Sequence, residues 1–594
     1  MTFLPTSREE AKEYYKNKHF SQFDVIFISG DPYYDHPLNG TALLARLLVK
    51  KGYTVGIIPQ PLSDDDFTRL GAPNFFFCIS SGLLDSMLAN YTPMLKKREH
   101  VNVPERAVIK YTQTIKRLFK DSITIIGGVE ATIRRFVQFD YFENRLRKGI
   151  LNDSKADFLL FGNAERSMLN LLTILKKNKT KSLDELKLLP AIKLMDGVAL
   201  RVKKENLPRN VRFLPSFEEC VQNKAKFNLT TRIQSLLPDS AFIEQTGLGY
   251  ILHNRPSHPL IEEEMDYVYD LPFTRKLHPN SLDFGAMNGM LEGFEFSVIA
   301  GRGCWGGCNF CIIPLVQGKN IARRSKDGIL KEITQLSANG AKKINDLTIP
   351  TLNMYGSYCS LYKVPETIFS PVIEKKITVY NKEQYCNQQC VGCDYRKLRD
   401  DLIPLLEEVE KLQIDLELRS AIRHDIILDQ KALFRKIMLF TKRLKIAPEH
   451  IQDSVLKNMN KATKSKFEEF LKEFDQVNKE QGTNKRLVPY MVAAHPGCTK
   501  EDMQELKNYC DQNNIFIELT QVFTPTPGTV STAMYYTGEN PITQEKVYVP
   551  RSFREKKDQK NILFGQHKEK QVQKKSQNQS QEIEEEPIKN DEAG

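Results

Sequence analysis

The sequence predicts an α/β protein with a doubly wound N-terminal domain followed by a complete or partial β/α barrel. Two series of alternating strand-like and helix-like segments indicate this fold, one up to about residue 170 and one from about residue 286. At 594 residues the chain is too long for a single hydrophobic core. We expect an N-terminal domain over 1–200, a linker or wrapping segment over 201–285, a barrel over 286–535 and a C-terminal extension over 536–594.

The first series predicts a Rossmann-like sheet. "FDVIFISG", "YTVGIIPQP", "NFFFCIS" and "SITIIGG" are strand-length apolar runs, and "HPLNGTALLARLLVKKG" is an amphipathic helix between the first two. "DFLLFGNAERSMLNLLTIL" adds a strand, a turn and a helix. Ligands of such sheets bind at the carboxyl ends of the strands, where Gly127, Gly128 and Gly162 are expected.

The second series predicts a TIM-type arrangement. "FEFSVIAGRG" is a strand that runs into a cysteine-rich loop, "RSKDGILKEITQLSANG" is a helix with a glycine stop, and "AKKINDLTI" is the next strand. "IDLELRSAI", "RLKIAPEH", "KRLVPYMVAAHPG" and "NIFIELTQVFTPTP" continue the pattern. Barrels of this kind carry their chemistry on the loops that follow the strands. The tail from about residue 564 is charged and Gln-rich, which predicts disorder.

The composition favours a cytoplasmic protein without a membrane anchor. No apolar stretch reaches the length of a membrane span, and the N-terminus lacks the apolar segment of a signal peptide. The net charge of +11 would suit an anionic substrate or a nucleic acid, although no motif supports the latter. Eleven cysteines in such a chain are expected to stay reduced, and six of them cluster in two triplets.

The first triplet, Cys304, Cys308 and Cys311, has the spacing Cys-x3-Cys-x2-Cys within "GRGCWGGCNFC". Structural zinc sites take four ligands, so a lone triplet is one ligand short. Three thiolates on a 4Fe–4S cluster leave one iron open to a small molecule. The glycines allow a tight loop to approach a cuboidal cluster closely.

Seven further segments make the chain similar to the YgiQ-like family of radical S-adenosylmethionine (SAM) proteins. They are "YYDHPLNG", "GIIPQP", "IIGGVEATIRRFVQFDYF", "LNDSKADFLLFGNAERSM", "RLKIAPEH", "AAHPGCT" and "TPTPGTVSTAMYYTGENP". The resemblance implies a radical SAM barrel after a radical-SAM-associated N-terminal domain. It does not imply a particular substrate.

The resemblance also implies a mechanism. Cys304, Cys308 and Cys311 would hold the cluster, and its fourth iron would take SAM; one-electron cleavage of SAM would then give a 5′-deoxyadenosyl radical. An electron donor such as flavodoxin or ferredoxin would supply the electron. Phe310 and the backbone of Ile312 would contact adenine, and Asn345 and Asp346 would lie near the SAM amine. Trp305 is expected to shield the cluster.

A second triplet, Cys386, Cys390 and Cys393, repeats the spacing in "YCNQQCVGC", and Cys359 could supply a fourth thiolate. No clear strand leads into it, so a second SAM-cleaving site is not expected. An auxiliary iron–sulfur cluster, a zinc site and an unmetallated insertion loop remain the alternatives.

The N-terminal domain resembles the cobalamin-binding fold, but its sequence argues against bound cobalamin. The DxHxxG signature is absent, because Asp35 directly precedes His36 and Gly40 follows four residues later. Glu449, His450 and His495 fall at predicted barrel strand ends, where either catalytic or ordinary hydrogen-bonding roles are expected.

These features lead to two candidate functions. The first is a radical SAM enzyme acting on an unidentified substrate. The alternative is an iron–sulfur redox or RNA-associated protein that does not turn SAM over.

Overall fold

The computed structural model describes residues 2–16, 20–99, 101–281, 293–388 and 390–563. The predicted tail from residue 564 and the start of the predicted barrel at 286–292 lie outside these ranges. The first 290 residues contain the strands β1 (Val25–Ser29), β2 (Val55–Pro59), β3 (Phe76–Ser80), β4 (Ile123–Ile126), β5 (Gln138–Asp140), β6 (Arg145–Arg147), β7 (Phe158–Leu160), β8 (Val198–Val202), β9 (Arg212–Phe213), β10 (Phe242–Thr246) and β11 (Gly249–His253).

Nine of these strands form one sheet in the order β2-β1-β3-β4-β7-β8-β11-β10-β9. The first five are parallel, which confirms the predicted doubly wound domain. Apolar runs suit such strands because both faces are covered: Val25 and Phe27 of β1 pack into one core cluster, and Ile26 and Ile28 into another. The helices of this part are Arg8–Tyr14, Gly40–Lys50, Asp64–Thr68, Ser86–Asn90, Ala107–Leu118, Gly128–Ile133, Ile150–Ser154, Glu165–Lys177, Leu183–Leu188, Pro190–Lys193, Phe217–Gln222, Lys224–Leu236 and Glu262–Tyr269.

The segment 201–285 differs from the predicted linker. Strands β9, β10 and β11 within it extend the N-terminal sheet, with β11 antiparallel to β8 and β10 antiparallel to β11. None of these strands has the continuous apolar run that marks β1–β4, and β10 carries polar residues such as Glu244 and Thr246. The N-terminal sheet therefore extends well beyond residue 200.

The second half contains the strands β12 (Ser297–Ile299), β13 (Gly301–Arg302), β14 (Ala322–Arg323), β15 (Asp346–Thr348), β16 (Tyr358–Cys359), β17 (Tyr362–Ser370), β18 (Lys375–Lys382), β19 (Arg396–Lys397), β20 (Arg443–Glu449), β21 (Arg486–Ala493) and β22 (Leu519–Val522). Its helices are Ile313–Val316, Lys326–Ala338, Leu402–Lys411, His424–Ile427, Lys431–Leu439, Asp453–Met459, Lys464–Glu480, Lys500–Gln512 and Val530–Thr537.

The parallel strands of this half form an arc around one large apolar core. β12 pairs with β15, and β20, β21 and β22 pair in sequence, all in parallel. The predicted strand "IDLELRSAI" contributes only isolated parallel bridges, Ile344 with Leu416 and Ile422 with Ile446, which join the two groups. The arrangement is a partial barrel, as the sequence predicts.

An antiparallel insertion interrupts the barrel after β15. The long hairpin β17–β18 follows β16, and the chain returns through β19, which pairs with β16. The second cysteine triplet lies between β18 and β19.

Candidate functional site

The first cysteine triplet lies on the loop after the short strand β13, just beyond the carboxyl end of β12, the first barrel strand. Backbone conformation fixes this loop. Gly303 has a φ of +89°, and a Cβ there would stand 2.1 Å from the carbonyl oxygen of Asn320. Gly307 also has a positive φ, and its carbonyl accepts a hydrogen bond from the Asn460 side chain at 2.8 Å. Only glycine suits Gly303, so the sequence pattern has a steric cause.

The three thiols of this loop lie near one another, since the charge of Cys308 acts on the pKa of both Cys304 and Cys311. Burial, followed by the charge of Cys308, raises the pKa of Cys304, and the same two causes raise the pKa of Cys311 to about 12. Cys304 Sγ accepts a hydrogen bond from Gly306 N at 3.4 Å and lies 3.5 Å from Thr351 Oγ1. No group of three or more His, Cys, Asp or Glu side chains within the described ranges is arranged so that it could already hold a metal ion. The donor set, three thiols with adjacent N–H and O–H groups, fits an iron–sulfur cluster.

A buried ion pair lies next to this loop and contacts one of its thiols. The Arg423 guanidinium donates to both carboxylate oxygens of Asp425, each at 2.8 Å, and to Cys308 Sγ at 3.6 Å. Burial would raise the pKa of Asp425, but the charge and hydrogen bonds of Arg423 outweigh it and hold that pKa below its usual range. Sequence reasoning missed this pair, because "IDLELRSAIRHD" reads as a strand and a turn without a motif.

The barrel strand ends carry the residues that the sequence singled out. Glu449, with a φ of +70°, ends β20 and lies 3.7 Å from Lys461 Nζ. His450 Nδ1 accepts from Gln452 N at 3.0 Å, and His495 Nε2 lies 2.7 Å from Ser531 Oγ. Burial lowers the pKa of His450 to about 4 and that of His495 to about 3, so both imidazoles are neutral at pH 7.

The residues expected to contact adenine adjoin the third cysteine. The Phe310 ring packs edge-on against His495, with 6.0 Å between ring centroids. Ile312 precedes the helix Ile313–Val316, and its carbonyl accepts from Leu315 N and Val316 N. That carbonyl is therefore engaged in the start of the helix.

Asn345 and Asp346 do not lie where the resemblance places them. β15 begins at Asp346 and runs parallel to β12, so these residues lie at the start of the strand, at the edge opposite the cysteine loop. The Asp346 carboxylate accepts from Arg419 N, Ser420 N and Ser420 Oγ at 2.6–3.0 Å. The residue that reaches Cys304 from beyond the carboxyl end of β15 is Thr351.

Trp305 lies between the two cysteine triplets. It is 5% exposed and forms a small apolar cluster with Met354 and Ile426, against which both Cys304 and Cys390 pack. The Arg396 guanidinium lies 5.3 Å from the centre of its ring.

The insertion brings Cys359 to the second triplet. Cys359 pairs with Arg396 across the β16–β19 ladder, and Cys393 is three residues before Arg396. Burial raises the pKa of Cys359, and the charges of Cys386 and Cys393 raise it further. Burial also raises the pKa of Cys390, to which the charges of Cys393, Cys359 and Cys386 contribute in the same direction. A turn closed by Cys393 N and Cys390 O at 3.4 Å, with Gly392 at a φ of +71°, presents two of the thiols.

A cavity of about 190 Å³ opens beside the first triplet. Cys308 and Cys311 line it from the barrel, and Arg135, Phe136 and Phe161 line it from the N-terminal domain. Residues from β10, from the insertion and from 528–530 complete its wall. The cavity therefore offers space for a small molecule next to the cysteine loop.

A second cavity, of about 490 Å³, lies at the carboxyl ends of β1, β3 and β4. Gly127, Gly128 and Gly162 line it, as the sequence predicts. His36 does not offer a cobalt ligand, because Nδ1 accepts from Leu38 N and Nε2 lies 3.2 Å from the Arg275 guanidinium. That the domain does not bind cobalamin stays a prediction, with this added support.

Comparisons with known proteins fit this architecture. A family model described as radical SAM N-terminal matches residues 3–290, and one described as a domain of unknown function (DUF3362) matches 518–579. A UPF0313 protein of Methanocaldococcus jannaschii is 37% identical, with 96% of this chain and 93% of that protein covered. A UPF0313 protein of Thermotoga neapolitana is 36% identical, with 95% and 98% covered.

Solved structures are also similar at the level of the fold, and a radical SAM methyltransferase is among them. The radical SAM methyltransferase TsrM from Kitasatospora setae, with cobalamin and a 4Fe-4S cluster bound, gives a TM-score of 0.50 at 12% identity. The match covers 86% of this chain and 74% of TsrM. None of the helices in the described ranges has the length and apolar content needed to cross a membrane.

Proposed function

This chain belongs to the UPF0313 family of YgiQ-like radical SAM proteins, and from that membership we infer that it cleaves SAM reductively at a cluster held by Cys304, Cys308 and Cys311. The observation that carries the proposal is the proximity of these three thiols, with the spacing Cys-x3-Cys-x2-Cys, on a glycine-shaped loop at a barrel strand end. When bound, a reduced 4Fe–4S cluster supplies one electron to SAM, which breaks a carbon–sulfur bond to give methionine and a 5′-deoxyadenosyl radical. A one-electron donor such as flavodoxin or ferredoxin would restore that electron.

The chain's own residues hold and shield the site. Arg423 places a positive charge beside Cys308, which favours the thiolate that a metal needs. The N–H of Gly306 and the hydroxyl of Thr351 lie at hydrogen-bond distance from Cys304 Sγ and favour the thiolate form of Cys304. Phe310 and the backbone of Ile312 border the place proposed for adenine. Asn345 and Asp346 have no part in this proposal, because they lie at the far end of β15.

Electron paramagnetic resonance tests the proposal. Anaerobically reconstituted, dithionite-reduced protein should show the spectrum of a 4Fe–4S cluster, and SAM should change it because SAM binds the open iron. The Cys308→Ala variant should show neither the signal nor the change. A signal in the parent that SAM leaves unaltered would favour the alternative, an iron–sulfur redox or RNA-associated protein without SAM turnover.

A second metal centre formed by Cys359, Cys386, Cys390 and Cys393 is the other part of the proposal. Its support is the β16–β19 ladder, which brings Cys359 to the triplet from 27 residues away in the chain and supplies the fourth thiolate that zinc or an iron–sulfur cluster requires. Cys390 and Cys304 both pack against the apolar cluster around Trp305, so the two centres would be neighbours. If the second centre is an iron–sulfur cluster, this proximity suits electron transfer between the two centres. If it is zinc, the site would stabilise the fold of the insertion.

A cytoplasmic location goes with this proposal. Cys220, Cys498 and the other nine cysteines are all unpaired, and thiol-bound clusters persist in a reducing compartment. Reduced thiols in protein alkylated directly in lysed cells would test it. A disulfide between any two of these cysteines in that sample would contradict it.

A further inference from the structure

Arg135 is an unpaired cation in the wall of the cavity beside the cysteine loop. It forms no ion pair with any described residue, and its Nε has no hydrogen-bond partner among them. Its neighbour Arg134 provides the contrast, because that guanidinium is bonded to both Asp85 and Asp140. The Arg135 side chain as a whole is only partly buried, but its Nε is buried without a partner, and because buried N–H donors are normally hydrogen-bonded this one needs an explanation.

Two aromatic rings hold the Arg135 guanidinium in place. Its Cζ lies 4.7 Å from the centre of the Phe136 ring and 4.4 Å from that of Phe161. Stacking fixes the plane of the group and leaves its N–H edge free to bind. Burial lowers the pKa of Arg135 to about 10, so the group stays charged at pH 7.

The rest of the cavity wall favours an anion. The charged residues among those that line it are Arg135, Lys319 and Asp239. Asp239 is already engaged, because it accepts from the Tyr362 hydroxyl at 2.9 Å and lies 3.2 Å from Lys382 Nζ. Gln234 lines the same cavity with an amide nitrogen that has no partner within the described part of the chain.

We infer that the substrate of this enzyme is a small molecule with a carboxylate or phosphate group, which the Arg135 guanidinium binds while the apolar body of the molecule extends toward the cysteine loop. That the bound molecule is a substrate rests on the proposed function, whereas the binding of the anion by Arg135 does not. A planar carboxylate or a phosphate matches the N–H fork of arginine, and the free amide of Gln234 can donate a further hydrogen bond. The apolar residues Ile133, Leu236 and Leu315 complete the wall.

Calorimetric titration of reconstituted protein with aromatic probes tests this inference. Phenyl phosphate and benzoate represent the two anions, and benzamide is the neutral control. We expect the parent to bind one of the anions at least about tenfold more tightly than benzamide, since a charge-assisted contact is worth that much. The Arg135→Gln variant should lose that preference, and Arg135→Lys should retain part of it, because lysine keeps the charge but not the fork.

Matched controls separate binding from folding and from SAM cleavage. Arg435→Gln removes a guanidinium paired with Glu473 and Glu480 on the outside of the barrel and should leave anion binding unchanged. Arg135→Gln should change the melting temperature little, since the loss of the contacts with Phe136 and Phe161 is offset by the removal of an unpaired charge. Formation of 5′-deoxyadenosine from SAM alone should be the same in parent and Arg435→Gln. If the parent forms no 5′-deoxyadenosine but its binding of the anion still depends on Arg135, the proposed function fails and this inference stands.

Three results would overturn the inference. The parent binds neither anion better than benzamide, Arg135→Gln binds the anion as tightly as the parent, or saturating SAM displaces the probe. The last result would mean that Arg135 serves the SAM carboxylate.

Discussion

Replacing Arg423 with methionine removes one half of the buried ion pair behind the cysteine loop. Both side chains of the pair are 7% exposed, so Asp425 would be left as a buried carboxylate without its partner. Breaking such a pair costs about 3–5 kcal/mol of unfolding free energy. At about 2–4 °C per kcal/mol for a folding unit of this size, the melting temperature should fall by roughly 6–20 °C.

The pH dependence of this loss has a definite sign. Arg423 depresses the pKa of Asp425, so the pair stabilises the folded state above the ordinary aspartate pKa of about 4 and loses that effect as the pH falls. The difference between parent and variant should therefore be largest at pH 7 and should shrink below about pH 4.

Thermal unfolding of metal-free protein, followed by circular dichroism, is the appropriate assay, because bound metal would add its own stabilisation. The Arg423→Met/Asp425→Leu double variant is the control. It removes both charges, so most of the lost stability should return, although both variants should hold iron about 10–100-fold more weakly without the contact to Cys308. A single variant as stable as the parent at pH 7, or a double variant less stable than the single one, would refute the reasoning.

Three further predictions concern other parts of the chain. Parent protein should carry about eight irons if the second centre is a 4Fe–4S cluster, or about four irons and one zinc if it is a zinc site. The Cys359→Ala/Cys393→Ala variant should lose the metal of the second centre, and a metal content equal to the parent's would contradict the existence of that centre. Gly303→Ala should abolish cluster binding, because a Cβ would stand 2.1 Å from the carbonyl oxygen of Asn320; an unchanged iron content would show that the loop tolerates it. Burial lowers the pKa of Lys556 to about 8, so this amine loses its proton more readily in the folded state than in the unfolded one, and the free energy of unfolding of the parent should rise between pH 8 and 10. In urea unfolding, Lys556→Met should lose that rise. An identical dependence of the unfolding free energy on pH in both proteins would contradict the burial argument.

Patterns that depend on near neighbours in the chain were predictable from the sequence. β1–β4 and β7 are marked by apolar runs because both faces of the sheet are covered, and the cysteine loop is marked by its spacing and glycines. β9–β11 were missed because they lack a continuous apolar run, with polar residues such as Glu244 in β10.

Contacts between distant segments were not predictable in the same way. Cys359 joins the second triplet only through the β16–β19 ladder, and Arg423 reaches Cys308 from a segment that follows a predicted strand. The positions of Asn345 and Asp346 could not be read from the sequence because their distance from the cysteine loop depends on where β15 begins and on its parallel register with β12.

Formation of 5′-deoxyadenosine tests the central claim most directly. Anaerobically reconstituted protein, supplied with dithionite and SAM, should release 5′-deoxyadenosine and methionine in equal amounts. The Cys304→Ala, Cys308→Ala and Cys311→Ala variants should release neither. Protein that carries the cluster and binds SAM, yet forms no 5′-deoxyadenosine, would contradict the claim that this chain cleaves SAM.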